Sequence, residues 1–242
     1  MFVFSFSKFA GFDKVFLVDN KFNLKEWDLF SYEEDTFIYL WEKVSNLEKY
    51  NKKINFDESK ITLLEKNFLS NKILKFLNLF VEENCTNYKN AISLFLSWND
   101  ILYILKQKTK QEKVYYSKIF TKDWYYDFEE EKYEWQHLIL VPDLRTWYNL
   151  FKDFEIYHWW SSYWKKAKLF WQIKKGNRWN LLATHSQIFK DWKNLKLITI
   201  FMPHKWYYKN HQDPRYNVLN TIELFSNIYW SDINYINDFR LK

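Results

Sequence analysis

Residues 181–218 read LLATHSQIFKDWKNLKLITIFMPHKWYYKNHQDPRYNV, and residues 135–142 read WQHLILVP. Three short apolar runs stand out in them: HLILVP, NLLATHS and NLKLITIF. HLILVP is continuously apolar after His137, and NLLATHS and NLKLITIF read as further strands. A continuous apolar run of this length is what a strand buried on both faces of a parallel sheet carries. Helical patterns lie between the first two, at WYNLFKDF and at KAKLFWQIKKG, the latter closed by Gly176. EIYH reads as a further short strand, and YYDFEEEKYEW as a polar-faced helix ahead of the first strand. This alternation predicts a parallel α/β lobe over residues 111–242.

Moving outward, residues 1–50 have a different rhythm. MFVFSFSKF, KVFLVD, DLFSYEE and TFIYLWEKV are short, aromatic and partly alternating, which predicts a small all-β module, closed or half-closed. Residues 51–60 are polar and read as a linker. Residues 61–108 read as helices. In SNKILKFLNLFVEEN, Ser70 is placed to cap, and Ile73, Leu77, Phe80 and Val81 share one face. The sequence therefore divides into a β module (1–50), a helical and linker segment (51–110) and an α/β lobe (111–242). The lysine-rich stretch KQKTKQEK (106–113) reads as a solvated connector.

Composition narrows the function classes. The chain has 242 residues, 48% of them hydrophobic, which is too apolar for a disordered chain. No apolar run reaches the roughly 18 residues that span a bilayer. The longest, AISLFLSWNDILYIL, is interrupted by Asn99 and Asp100. No membrane partner is expected, and the start shows no secretory pattern. A single cysteine, Cys85, rules out an internal disulfide and fits a cytoplasmic location. The formal charge of +6 is compatible with a polyanionic partner. Lysine far outnumbers arginine, and Asn, Ile, Phe and Tyr are abundant, as in an AT-rich gene.

Glycine and tryptophan are out of proportion. There are 2 glycines and 14 tryptophans, and the two types together reach the roughly 7% that glycine alone takes in an average protein. Many tryptophans stand beside polar turn residues at the edges of apolar runs, where a chain wants the φ > 0 that glycine gives freely. One reading is a reassigned stop codon whose positions are glycine. It predicts that Trp27, Trp41, Trp98, Trp135 and Trp179 lie at turns or element ends. The other reading is a genuinely tryptophan-rich protein with aromatic binding platforms. Trp206, inside an aromatic cluster, reads as a true tryptophan under either.

Several blocks resemble, in order, those of primosomal protein N′, the replication-restart helicase family. LILVPDLRT (138–146) is similar to its strand ending Leu-Val-Pro-acid. His158 with the following WWSS resembles its His-Ser-Gly-Leu-Ser block. WQIKKGNRWNLLATHSQIF (171–189), KNLKLITI (193–200) and HKWYYKNHQDPRY (204–216) resemble three further blocks, and glycine at Trp135 and Trp160 improves the match. KVFLVDNKFNLKEWDLFSYEEDTFIYLWEKV (14–44) looks like the family's module for the 3′ end of DNA, and residues 69–96 like the helical segment after it. The resemblance implies a RecA-like lobe, a single helicase lobe. The family's second lobe and its zinc–cysteine insertion have no counterpart in this sequence.

The resemblance also says where chemistry belongs. Such a lobe binds ATP and Mg²⁺ through a glycine-rich loop with a phosphate-binding Lys, and through acids on a later strand. The loop position is occupied by YYSKIFTKDW (115–124), with Phe120 in place of the Lys. Lys118, Thr121 and Lys122 are its vestigial nucleotide-binding candidates. The acidic motif Asp-Glu-Glu-His becomes Phe201, Met202, Pro203 and His204, so only His204 remains. The expectation is a pseudo-ATPase with no working cofactor site and no catalytic residues. For DNA, the 3′-end pocket maps to Lys14, Val15 and Phe16, with Lys14, Phe16 and Lys25 as contact candidates. Phe16 reads equally as a core strand residue. No metal site is expected, since His185, His204 and His211 have no zinc-ligand spacing.

The resulting expectation is a DNA-binding relative of the restart helicase. Its partners would be branched or 3′-ended DNA, with primosome or single-strand-binding proteins. Two alternatives stay open: a tryptophan-rich carbohydrate-binding module, and the product of a decaying gene.

Overall fold

The chain divides into two units, Met1–Val81 with Asn87–Trp98, and Glu82–Thr86 with Asn99–Lys242. The computed structural model describes residues 2–5, 15–18, 24, 28–32, 35–41, 52–54, 56–95, 101, 135–151, 155–158, 160–210 and 214–237. Its elements form an α/β fold with one mostly antiparallel and one parallel sheet, as expected.

The first unit holds a six-stranded sheet built from β1 (Phe2–Ser5), β2 (Val15–Val18), β3 (Leu29–Tyr32), β4 (Asp35–Trp41), β5 (Lys52–Ile54) and β6 (Ile61–Glu65). The order is β5-β2-β1-β4-β3-β6, antiparallel except for β2 with β5. The β module thus runs past residue 50. The stretch read as a linker contains β5, and the stretch read as helical from residue 61 opens with β6. Both are edge strands, and no residue of β6 is fully buried, so an apolar pattern on both faces is not required of them.

The core of this sheet comes from neighbouring strands. Phe30 and Phe37 are cross-strand partners whose rings stack at 5.5 Å. Phe56 packs edge-on against both, at 5.8 and 5.1 Å. Their neighbours Leu29 and Ile38, also paired, point to the opposite face and are fully buried too. Helix α1 (Asn71–Glu83) begins one residue after Ser70 and buries Ile73, Phe76, Leu77 and Phe80. Helix α2 (Tyr88–Phe95) is capped by Asn87, whose Oδ1 accepts from the Asn90 N–H at 2.9 Å, and it meets α1 through Phe76 and Phe95.

The strand order makes this sheet curl. β5 and β6 are its two edges, yet only residues 55–60 join them. Opposite edges of a flat six-stranded sheet lie roughly 24 Å apart. Residues 55–60 include a 3₁₀ turn at Glu58–Lys60 and reach only about 20 Å. The register widens the gap, because β5 ends level with the Trp41 end of β4 and β6 begins level with its Asp35 end. Only a coiled, half-closed sheet satisfies this connection.

The second unit has four parallel strands in the order β12-β9-β7-β8: β7 (Gln136–Leu140), β8 (Asn180–Ala183), β9 (Leu195–Phe201) and β12 (Asp232–Ile236). Every residue of β7 and β8 is buried, which explains their unbroken apolar reading. Helices α3 (Leu144–Phe151) and α4 (Tyr163–Lys175) lie between β7 and β8 in the chain. Helix α5 (Val218–Tyr229) precedes β12 and packs on β9 and β12. EIYH is not a full strand: only Tyr157 bridges, to Ala183 at the outer edge of β8. Of the helix expected at 125–135, residues 125–134 lie outside the described residues, and Trp135 is a bend that leads into β7. No helix among those described is long and apolar enough to cross a membrane.

Gln136 pins the amino-terminal end of this sheet. Its Nε2 donates to the carbonyls of Ile173 and Arg178, each at 2.9 Å. Its Oε1 accepts from the N–H groups of Lys193 and Asn194 at 2.9 and 3.0 Å. One buried amide thereby satisfies the end of α4 and the approaches to β8 and β9.

The tryptophans separate by position. Trp41 ends β4, Trp135 immediately precedes β7, and Trp179 immediately precedes β8, all at element ends as expected. Trp27 and Trp98 lie outside the described residues. Trp230 closes α5 in the left-handed conformation, with φ 58 and ψ 52, and is 84% exposed. Trp192 contrasts with it: the ring is 2% exposed and its Nε1 donates to the Ile188 carbonyl.

Candidate functional site

In an open parallel sheet the ligand crevice lies beyond the carboxyl ends of the strands, where the strand order reverses. Here that point falls between β7 and β9. From β7 the chain crosses to β8 on one side; from β9 it crosses to β12 on the other. The loops after these two central strands therefore leave in opposite directions.

The loop after β7 is Val141-Pro142-Asp143. Asp143 caps α3, its Oδ1 accepting from the Thr146 N–H at 2.7 Å. The loop after β8 is Thr184-His185-Ser186, where the Thr184 and Ser186 hydroxyls lie 3.3 Å apart. Burial holds His185 below its usual pKa.

After β9 the place of the expected acids is apolar in fact as well as in sequence. Phe201 is buried with Ile139, Val141, Ile156 and Leu182. A carboxylate there would sit in an apolar core without a partner. Met202 turns the chain at φ 50, and its N–H donates to the Ile236 carbonyl of β12 at 2.7 Å. His204 is exposed in the turn that follows. Among the described residues no group of three His, Cys, Asp or Glu could hold a metal ion.

Beyond His204 three exposed residues, Lys205, Trp206 and Tyr207, precede a buried one. Tyr208 points in and is buried; its hydroxyl lies 2.8 Å from the Phe201 carbonyl and 3.3 Å from that of Leu140. The phenol thus occupies the crevice between the ends of β7 and β9. Burial, with the Asp143 charge, pushes it far above its usual pKa, so it stays a neutral donor. Tyr216 also points in, against Phe189 with centroids 5.2 Å apart. Between these anchors runs the short hairpin of β10 (Lys209–Asn210) and β11 (Tyr216–Asn217).

Trp206 and Tyr207 point out. Their rings stack at 4.1 Å with 28° between planes, and they are 62% and 36% exposed. His204, Lys205, Lys209 and Arg215, close to them in sequence, are exposed as well. This is an exposed, stacked aromatic pair on a segment that also exposes cations and carries two buried tyrosines. It can receive a flat ring and bring cations to phosphates.

Of the candidate residues expected from the sequence, two are among the described residues, Phe16 and His204. Lys118, Thr121 and Lys122 lie outside the described residues, as do Lys14 and Lys25. Phe16 is in β2, paired with Val3 and Lys52. Only His204 falls at this loop. The aromatic pair carried a signal in the run HKWYYKN, three aromatics between lysines. The sequence could not say which of the three turn outward.

In comparison with known proteins, no family model and no curated protein matches this chain.

Proposed function

We propose that the chain is a DNA-binding relative of the replication-restart helicase, with an eroded nucleotide site. It acts in the cytoplasm in replication restart or repair, on branched or 3′-ended DNA. The observation that carries this reading is the exposed Trp206–Tyr207 stack, on a segment that also exposes His204, Lys205, Lys209 and Arg215. Stacking on bases is sequence-tolerant and contributes about 1–3 kcal/mol per base, while the cations follow the phosphates. The sequence blocks that resemble the family, and the parallel sheet that holds three of them, support the same assignment. The resemblance brings primosome and single-strand-binding proteins as further candidate partners.

Nucleotide turnover is not part of the proposal. Buried Phe201 takes the position of the first acid, and Met202 and Pro203 the next two. Electrostatic stabilisation by metal and lysine is nearly the whole of phosphoryl-transfer catalysis.

The test is fluorescence anisotropy with labelled 3′-ended and forked DNA across a salt series. Binding that weakens steeply with salt, and that falls about tenfold or more in Trp206→Ala/Tyr207→Ala, is expected. A DNA-stimulated ATPase assay should stay at background. Absence of binding at low salt, or turnover above about 1 s⁻¹, overturns the reading.

A further inference from the structure

The Trp206–Tyr207 stack sits on a loop, and loops alone hold geometry poorly. Something must keep two exposed rings parallel at 4.1 Å. The buried neighbour on the same 3₁₀ turn is Tyr208, whose N–H also closes the turn by donating to the Lys205 carbonyl at 3.2 Å. Its hydroxyl reaches the last carbonyls of β7 and β9 at once, at 3.3 and 2.8 Å. Both acceptors belong to the rigid sheet. The contact falls at the reversal of strand order, where a bound ligand would otherwise meet those carbonyls.

We infer that Tyr208 is a positioning residue: its hydroxyl locks the turn to the ends of β7 and β9 and so sets the Trp206–Tyr207 pair for stacking on a nucleobase. The inference rests on the nucleic-acid reading above and adds what holds the platform. It also gives the switch-point crevice an occupant from within the chain. The phenol ring lies at it, with its hydroxyl in reach of both carbonyls. Phenylalanine would fill the same volume but remove the single hydroxyl proton, which the Phe201 carbonyl at 2.8 Å and the Leu140 carbonyl at 3.3 Å share, and leave the turn free to shift. Tyr216, the other inward tyrosine, anchors the far side through ring packing on Phe189.

The experiment compares wild type, Tyr208→Phe, Trp206→Ala/Tyr207→Ala and the triple variant. Each is titrated with a labelled deoxythymidine oligomer and with an abasic sugar–phosphate oligomer of equal length. Tyr208→Phe should weaken binding of the base-bearing oligomer about tenfold, within the range of one lost stacking contact. Binding of the abasic oligomer and the slope against salt should not change. In the background lacking both outer rings, Tyr208→Phe should cost nothing further, because its effect passes through them. Equal losses for both oligomers, or a full additional loss in the double-alanine background, would mark Tyr208 as a general stabiliser and overturn the inference. So would unchanged binding by Tyr208→Phe. If wild type binds neither oligomer, the nucleic-acid reading itself fails and takes the inference with it. Circular dichroism of each variant checks the fold, and the triple variant against the double keeps the comparison decisive where Tyr208→Phe lowers stability.

Discussion

Trp230 and Gly176 do the same work with opposite side chains. Gly176 ends α4 at φ 75, its N–H donating to the Ile173 carbonyl at 3.0 Å, while Asn177 N–H reaches Gln172 at 2.8 Å. Trp230 ends α5 at φ 58, and both its N–H and that of Ser231 turn back to the Ser226 carbonyl. Left-handed backbone costs a residue with a Cβ roughly 1–2 kcal/mol, and glycine almost nothing. The indole recovers little of this, being 84% exposed. Trp230→Gly is therefore expected to stabilise the protein by about 1 kcal/mol, seen as a rise in melting temperature of roughly 2–4 °C. Trp230→Ala, which keeps the Cβ, should show no such gain. A fall in melting temperature with glycine would speak against the proposed glycine reading at this position. Trp192 falls under a different rule. Its buried ring and its bond to Ile188 make it a core residue, and no glycine could replace it without a cavity.

At the scale of elements, Gln136 is the residue most dependent on its neighbours. Four hydrogen bonds converge on one amide that is 1% exposed. Gln136→Leu removes all four and leaves buried backbone groups without them, so a loss of about 3 kcal/mol is expected in urea unfolding. A loss under about 1 kcal/mol would mean that those backbone groups find other partners. The strands around it were the legible part of the fold. β7 and β8 are buried on both faces and β9 is buried over Ile198–Phe201, and such strands announce themselves by their apolar character. β5 and β6 were missed because edge strands need no apolar pattern, and Lys52 and Lys53 in β5 look like linker. The candidate site was legible as a missing acidic motif and as the aromatic run HKWYYKN. Phe201, Met202 and Pro203 bring no carboxylate to the loop after β9. The outward turn of Trp206 and Tyr207 depends on Tyr208 reaching two strands, a contact across 68 residues of chain that no local pattern encodes.

For the whole molecule, protonation acts in one direction through three histidines. Burial holds His137, His185 and His158 below their usual pKa, and the Lys165 and Lys166 charges add to it at His158. His137 is the extreme, lowered to about 3, with its Nε2 2.9 Å from the Thr199 hydroxyl. The unfolded chain takes up protons below about pH 6.5, where the folded chain does not. The stability these groups give is thus complete above that pH, and for His137 it is lost progressively as pH falls toward 3. For His137 the slope is about 1.4 kcal/mol per pH unit within its window. His137→Gln, which keeps a partner for Thr199, should flatten the stability profile between pH 6 and 4 by about one proton's worth. An unchanged slope in urea titrations at several pH values would mean that His137 ionises freely in the folded state.

The coiled sheet of the first unit has a consequence for how copies of the chain treat one another. A flat sheet ends in two straight edges, each a template on which a second molecule can add a strand. Here the edges are β5, three residues long, and β6, five residues long. Residues 55–60 tie the two edges together and force the sheet to bend around them. β6 also lies beside a register shift in its pairing with β3, between Leu29 and Phe30. A foreign strand meets only short, curved rails, one carrying Lys52 and Lys53 and the other Glu65. So aromatic a module, left flat, would invite fibre growth; bent by its own short tether, it offers that growth almost nowhere to begin.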